Sequence, residues 1–367
     1  MKPYLPDKLP LESLDWERLV SLIGAGREAL ARYDGVLSTI PNPAVLLSPL
    51  TTQEAVISSR IEGTVTSLEE VLEIEADGEE AVKQDDEIWE VVNYRMALVS
   101  AARMLADRPV SLHMIRTVHE ILLNSVRGQE MGRGSFRRDQ NWIGRPGSTI
   151  EEATYVPPEP QMVPEYMENL ETYFTHPEKD PLVQQAIIHA QFELIHPFKD
   201  GNGRVGRMLI PLLLYKAGLL AAPMFYLSEY LEAHRDQYFD HLLDISRQGR
   251  WQQWVEFFLR AVTKQAKENT AKAREILKLY DWAKAKVPEL TRSQFAIRAL
   301  DEIFAKPTFT TSGFTRRSGI PKHSAGRIIR ELVDGEVIGV LKPGRGRRPT
   351  TYYFGRLLLA AEGKTVV

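Results

Sequence analysis

Between His196 and Arg207 the chain reads His-Pro-Phe-Lys-Asp-Gly-Asn-Gly-Arg-Val-Gly-Arg. Those residues supply an imidazole able to take a proton near neutral pH, one carboxylate, an amide between two glycines, and two guanidinium groups. Proton transfer and anion binding are the chemistry that such a set can do. Arg204 and Arg207 are three apart, so on a helix both can reach one anion. Where Gly201-Asn202-Gly203 opens that helix, free backbone N–H groups and the helix dipole add a cradle for phosphate. An acid, a base and a phosphate cradle in one loop point to nucleotide chemistry.

Two helices must hold this loop. Val183, Ile187, Ala190 and Leu194 recur on one helical face before it, and Val205, Met208, Leu209, Leu212 and Leu213 do the same after it. Gly218 reads as the stop of the second helix. The motif is therefore expected to be a tight connection between two core-buried helices.

The rest of the composition sets limits. A chain of 367 residues, 43% hydrophobic and 26% charged, is long enough for two or three domains and ordinary for a soluble globular protein. It contains no cysteine, which excludes disulfides, thiolate metal sites and a cysteine nucleophile. The first ten residues lack a signal-peptide apolar core and no apolar run approaches membrane-spanning length, so a cytoplasmic location without membrane contact is expected. No internal repeat is visible.

The stretch from His196 to Arg207 resembles the Fic motif, His-x-Phe-x-Asp/Glu-Gly-Asn-Gly-Arg-x-x-Arg, at every defined position. The resemblance implies a mainly α fold, a Fic helical core carrying a small β-hairpin flap. It also implies a protein adenylyltransferase that moves AMP from ATP to a Ser, Thr or Tyr hydroxyl of a target protein, itself included. Under it His196 is the catalytic base. Gly201, Asn202, Gly203, Arg204, Gly206 and Arg207 bind the nucleotide, and Asp200 carries Mg²⁺, or Mn²⁺ in its place. Phe198 faces the core, and Lys199 has no assigned chemistry.

Three further stretches resemble parts of the same family. Ser58-Ser-Arg-Ile-Glu62-Gly63 ends a helical stretch from Ser48 to Ile61 and matches the inhibitory motif Ser/Thr-x-x-x-Glu-Gly/Asn. In that autoinhibited class the glutamate, here Glu62, reaches the second motif arginine, here Arg207. A carboxylate paired two-pronged with Arg207 would occupy the guanidinium needed by the ATP γ-phosphate. The α-phosphorus would then be misplaced for attack. Residues 128 to 158, with Phe136-Arg137, Gln140-Asn-Trp-Ile-Gly144 and Val156-Pro-Pro158, resemble the flap and its approach. Segment 140–156 is expected as a hairpin that pins the target as an added strand. Tyr238 and Phe239 fall where the family places an aromatic pair near adenine, although core aromatics would look the same.

The remaining stretches are read from pattern. Residues 1 to 10 hold three prolines and read as an extended arm over the body. The acidic residues 69 to 90 read as a solvated, mobile connection. Ser111 is a helix N-cap, and His113 and His119 are packed or surface residues rather than metal ligands. Trp251, Trp254, Phe257 and Phe258 have the spacing of a core face. A charged helix from Ala261 to Lys286 is expected to end at Pro288.

Residues 289 to 357 resemble a winged helix-turn-helix, with strands at Val337–Leu341 and Thr350–Phe354. From Lys286 to Leu357 there are 14 Lys and Arg against 6 Asp and Glu, a local +8 in a chain of net −3. That balance leaves DNA contact through 288–357 open beside protein docking, including a homodimer. The expected divisions are an N-terminal helical region (1–100) with the inhibitory helix at 48–63, a Fic core (101–262), a connecting helix (263–287) and the winged unit (288–357). Removal of AMP from targets, with Glu62 placing water, stays open. Phosphorylation by Doc-like relatives, which carry Lys near the position of Gly203, is disfavoured by that glycine.

Overall fold

A computed structural model describes residues 2–40, 42–78, 85–124, 131–145, 147–346 and 349–364. Parts of the expected acidic connection (79–84), of the flap and its approach (128–130 and 146) and of the wing (347–348) lie outside the described residues. The chain divides into two compact units that interleave along the sequence. Met1–Asp34, Ile57–Gly63 and Val92–Lys267 form the first, and Gly35–Val56, Thr64–Val91 and Glu268–Val367 the second.

The N-terminal helices are α1 (Trp16–Thr39), α2 (Pro43–Leu46), α3 (Ser48–Ile61), α4 (Leu68–Asp77), α5 (Asp86–Asp107) and α6 (Leu112–Leu122). Then follow α7 (Val163–Phe174), α8 (Pro181–Ile195), α9 (Asn202–Lys216), α10 (Ser228–Ala233), α11 (Arg235–Gln248) and α12 (Trp251–Thr291).

The first unit is organised around α8. Asp180 caps it through Oδ1, 2.8 Å from the amide of Leu182, and Pro181 fills the first turn, where its missing N–H costs nothing. Val183, Ile187, Ala190 and Leu194 are all buried, as are nearly all other α8 side chains. So wide an apolar surface needs neighbours on every side, and α7, α9 and α11 pack on it. The α12 aromatics Trp251, Trp254, Phe257 and Phe258 are core, with Trp254 Nε1 donating to the Ala186 carbonyl at 2.7 Å. Each contributes about 2–3 kcal/mol of burial. Helix α9 stops where expected. Gly218 adopts φ 70° and the amide of Leu219 closes on the Leu214 carbonyl at 3.0 Å. The extended N-terminal arm lies on this unit, Tyr4 N–H bonding the Val156 carbonyl at 2.9 Å and Gln191 Nε2 the Asp7 carbonyl at 2.7 Å.

The second unit contains α13 (Ala296–Ala305), β1 (Thr308–Thr310), α14 (Thr311–Ser318), α15 (Lys322–Asp334), β2 (Gly339–Lys342), β3 (Thr351–Tyr353) and α16 (Gly355–Ala361). The strands form one antiparallel sheet in the order β1-β3-β2, pairing Phe309 with Tyr352 and Val340 with Tyr352, with an irregularity between Val340 and Lys342. Strand β1 and helix α16 escaped the sequence reading because each is short and without clear periodicity.

Two expectations are corrected here. The acidic stretch is not simply a solvated connection, because residues 68–77 form helix α4. A capping box joins Ser67 and Glu70, and the buried side chains Leu68, Val71 and Leu72 share one face. This helix packs on β1, and its Glu75 pairs with Lys306 at 3.1 Å and its Glu73 with Lys342. Pro288 does not end the long helix, which continues to Thr291. Lying in the last turn, it forfeits one hydrogen bond, while Arg292 N–H still closes on the Pro288 carbonyl at 2.9 Å.

Candidate active site

The connection between α8 and α9 is built from two left-handed residues. His196 terminates α8 at φ 49°, ψ 60°, and Gly201 opens α9 at φ 78°. A left-handed residue with a Cβ costs about 1–2 kcal/mol, so His196 has to be held. Arg137 holds it. Its Nε donates to the His196 carbonyl at 2.9 Å and its Nη2 to the carbonyls of Pro158 at 2.5 Å and Ile195 at 3.5 Å. This buried guanidinium thus ties the α8 corner to the segment leading into the flap. Sequence reading quoted Phe136-Arg137 as a flap signature and missed this role. An arginine before an irregular, carbonyl-rich corner was the available signal.

Asn202 closes the loop. Its Oδ1 accepts from Phe198 N–H at 2.8 Å and its Nδ2 donates to the Phe198 carbonyl at 2.9 Å. Phe198 is fully buried, its ring stacked on His119 with centroids 3.7 Å apart. His119 Nδ1 accepts from Gly134 N–H at 2.9 Å, so Nε2 carries the proton and donates to the Asp200 carbonyl at 3.0 Å. His119 is therefore packed, as expected, but it also supports the loop. His113 is exposed.

His196 Nδ1 lies 3.3 Å from the Glu193 carbonyl. Facing an acceptor, Nδ1 is the protonated nitrogen and Nε2 is left as the basic position. Burial lowers the ring's pKa to about 4, keeping it neutral at pH 7. Asp200 is half exposed, its Oδ1 accepting from Gly201 N–H at 2.7 Å and its Oδ2 3.4 Å from Arg204 Nη2.

Arg207 is buried and faces the end of α3. Its Nε donates to Ser58 Oγ at 2.8 Å, and its Nη2 to the Ser58 carbonyl at 2.7 Å and to Glu62 Oε1 at 2.7 Å. The expected pair of Glu62 and Arg207 is present. It is not the two-pronged fork anticipated, because Ser58 already holds Nε. Burial pushes the Glu62 carboxyl up, but Arg207 beside it outweighs this and holds it below the usual carboxylate range. A Cβ on Gly203 would collide with Glu62 Oε1, so only glycine leaves room for the carboxylate here. A Cβ on Gly206 would strike Glu193 of α8, so this glycine serves close helix packing.

A cavity of about 850 Å³ opens on this group, lined by Glu62, Glu193, His196, Gly203, Arg207, Arg235, Tyr238, Phe239 and flap residues Ile143–Arg145. Its size suits a nucleotide. Tyr238 is buried with its hydroxyl 3.0 Å from His189 Nε2, whereas Phe239 is partly exposed. Glu193 Oε1 is buried without a hydrogen-bond partner, and burial raises this carboxyl's pKa to about 8. Among the described residues the flap is slighter than the expected hairpin, with an antiparallel bridge between Ile143 and Tyr155. Tyr155 pins it to α8 through its hydroxyl on the Leu194 carbonyl at 2.5 Å.

No group of three or more His, Asp or Glu gathers around a metal position among the described residues. A half-exposed Asp200 at the mouth of an anion cradle fits the way Mg²⁺ is commonly held, by one carboxylate with water and substrate phosphates. None of the described helices is long and apolar enough to cross a membrane.

Comparison with known proteins agrees with this geometry. Residues 20–103 match the Fic/DOC family N-terminal region and residues 109–214 the Fic/DOC family domain, together more than half of the chain. A probable protein adenylyltransferase of Aquifex aeolicus is 31% identical over 191 residues, 52% of this chain and 56% of that protein. The protein adenylyltransferase Fic of Aedes aegypti is 28% identical over 180 residues, 48% of this chain and 32% of that one. The chain thus matches about half of the first relative's length and a third of the second's. A Fic family protein from Desulfovibrio desulfuricans G20 shares the fold, with a TM-score of 0.58 at 22% identity over 96% of this chain and 98% of that one. With the motif from His196 to Arg207 spanning the corner from α8 into the first turns of α9 and both family regions matched, the chain belongs to the Fic/DOC family.

Proposed function

We propose that this chain is a protein adenylyltransferase held inactive by its own α3. One observation carries the reading: Glu62 occupies Arg207, 2.7 Å away, in the second turn of α9 and in the same cavity as His196. The amides of Gly201–Gly203 that open α9 and the guanidinium groups of Arg204 and Arg207 bind the phosphates of ATP. Mg²⁺ on Asp200 would neutralise phosphate charge. His196 Nε2 takes the proton of the target hydroxyl, whose oxygen attacks the α-phosphorus. The bond from the α-phosphorus to the bridging oxygen breaks, and pyrophosphate leaves with the electron pair. Tyr238 and Phe239 border the base, and the flap receives the target as an extended strand beside Ile143, on the side turned away from Tyr155.

With Glu62 on Arg207, the γ-phosphate has no seat and the α-phosphorus is turned from line. The collision of any Gly203 side chain with Glu62 supports AMP transfer over the Doc-like alternative with lysine there. The element order α13-β1-α14-α15-β2-β3 supports a winged helix in the second unit. The test follows label from α-³²P-ATP onto the protein and lysate proteins, for the native chain, Glu62→Gly, and Glu62→Gly with His196→Ala. Weak, strong and absent labelling are expected in that order. Label arriving only from γ-³²P-ATP would make the protein a kinase.

A further inference from the structure

One carboxyl in the cavity has no task in the chemistry above. Glu193 lies on α8, one turn before His196, and among the described residues its side chain makes no hydrogen bond or ion pair. Its Oε1 is buried without a partner. A buried polar atom left unsatisfied costs free energy, so its presence beside a ligand cavity calls for a reason.

The surface of α9 supplies one. Gly203 and Gly206 are three apart and share a face of that helix. Each leaves a notch that a side chain would fill, and each notch holds a glutamate oxygen. Glu62 Oε1 sits where a Cβ on Gly203 would stand, with Arg207 Nη1 2.8 Å from the same point. Glu193 Oε1 sits in the same way over Gly206. The two carboxyls are thus seated about one helical turn apart along a glycine stripe. One meets a guanidinium there, and the other does not. Glu193 also lines the cavity of about 850 Å³. With Oε1 closed off against Gly206, its second oxygen is the polar atom that it presents to a ligand.

The surroundings decide the form of that oxygen. Burial raises the carboxyl's pKa, Arg207 lowers it and Glu62 raises it, leaving it at about 8. The neighbouring His196 ring is neutral, and the other charged residues of the lining are Arg145, Arg235 and Asp236. At pH 7 Glu193 is therefore an acid with an O–H to donate. Replacement of Glu62 by a phosphate exchanges one anion for another, so the proton stays.

We propose that Glu193 is a nucleotide-contacting residue, an un-ionised acid whose O–H donates to an oxygen of the ATP γ-phosphate when that phosphate takes the seat of Glu62. The inference rests on the AMP-transfer reading and adds to it a phosphate ligand from α8. A carboxylate at this point would repel the phosphate. A carboxylic acid binds it and leaves the charge to Arg207 and the amides of α9.

The experiment places Glu193→Gln and Glu193→Met each in the full-length Glu62→Gly chain. Calorimetry compares ATP with ADP, which lacks the γ-phosphate. Glutamine keeps an N–H donor at the same length, and methionine fills that length with none. Glu193→Met should lose about tenfold in ATP affinity while ADP affinity holds, and Glu193→Gln should keep most of the preference for ATP. Equal losses for both nucleotides would point to a structural fault or to a contact with the nucleoside, and either overturns the proposal. Infrared spectra of the ATP-bound Glu62→Gly chain at pH 7 should show the C=O band of a protonated carboxyl that Glu193→Gln removes. Absence of that band would mean that Glu193 is ionised, which also overturns it. An ATP preference unchanged in Glu193→Met sinks this inference alone. Equal binding of ATP and ADP by Glu62→Gly itself sinks the seat for the γ-phosphate, and this inference with it.

Discussion

The Arg207 guanidinium and the Glu62 carboxylate meet at 2.7 Å from opposite environments, with the arginine side chain 1% exposed and the glutamate 39%. A buried cation paired with a half-open carboxylate is an asymmetric lock. The arginine cannot leave, but the glutamate can. Water screens the exposed partner, so the pair adds under about 1 kcal/mol to stability. On the function proposed above, its effect on reactivity, through the one guanidinium it occupies, is expected to be far larger.

Replacing Glu62 with Gly should therefore raise self-labelling by about tenfold to a hundredfold while moving the melting temperature by only a degree or two, about what under 1 kcal/mol implies. Melting curves run beside the labelling assay check this. A large destabilisation with no gain in labelling would mean that the pair is structural rather than inhibitory.

The pH dependence has a definite sign. Glu62 has a lowered pKa, so its contribution is fully present above the ordinary carboxylate range and disappears only as pH falls through its folded value. The inhibition should accordingly not relax between pH 6 and 8. His196, lowered to about 4, should give the Glu62→Gly enzyme an acid limb near pH 4 in kcat/KM rather than near 6.5. An acid limb at pH 6 to 7 would show that the base is not this buried ring.

Stability should also fall with pH. His119, His189 and His196 are all held neutral, with pKa values near 4, 3 and 4, so the unfolded chain binds more protons below about pH 6.5. Each ring contributes up to about 1.4 kcal/mol per pH unit in that direction. Glu193, raised to about 8, acts oppositely. Denaturant titrations from pH 7 to pH 5 should show a net loss; a flat profile would mean that the rings gain protons without unfolding.

Asn202→Ala removes both bonds to the Phe198 backbone and should cost about 2 kcal/mol. In the Glu62→Gly background it should also reduce labelling sharply, since the amide cradle loses its shape. Arg137→Lys should not substitute for Arg137, because one ammonium cannot span carbonyls on both sides of the α8 corner. Retention of full activity by either variant would show that the residue replaced does not hold the loop in its active shape.

The local charge of +8 in Lys286–Leu357 does not stand alone in its unit. Thr64–Val91, in the same unit, carries eleven acidic residues against one lysine, and Glu73 and Glu75 engage Lys342 and Lys306. Retention of duplex DNA in a gel-shift assay near 0.15 M salt is accordingly not expected. Tight, salt-sensitive binding there would restore the DNA reading.

The motif from His196 to Arg207, the two helices that carry it, the glycine stop at Gly218 and the contact of Glu62 with Arg207 were all legible in the chain. Each is local, or is marked by residue types that little else requires together. Residues set by long-range encounters were not legible. Arg137 gains its meaning from carbonyls at Pro158 and His196, and His189 gains its meaning from Tyr238, which lies 49 positions away. Helix α4, read as an acidic connection, had its amphipathic face outweighed by its charge.

By itself, then, the sequence determined which groups could do chemistry and the turn that presents them, because helix periodicity and glycine conformation act over a few residues. The tertiary structure decided how those groups are set. Burial chose the neutral histidines, a backbone carbonyl chose the proton position on each ring, and packing of Glu62 over Gly203 decided that Arg207 is occupied. Those outcomes depend on low dielectric and on partners distant in the chain, and both exist only once the chain has folded.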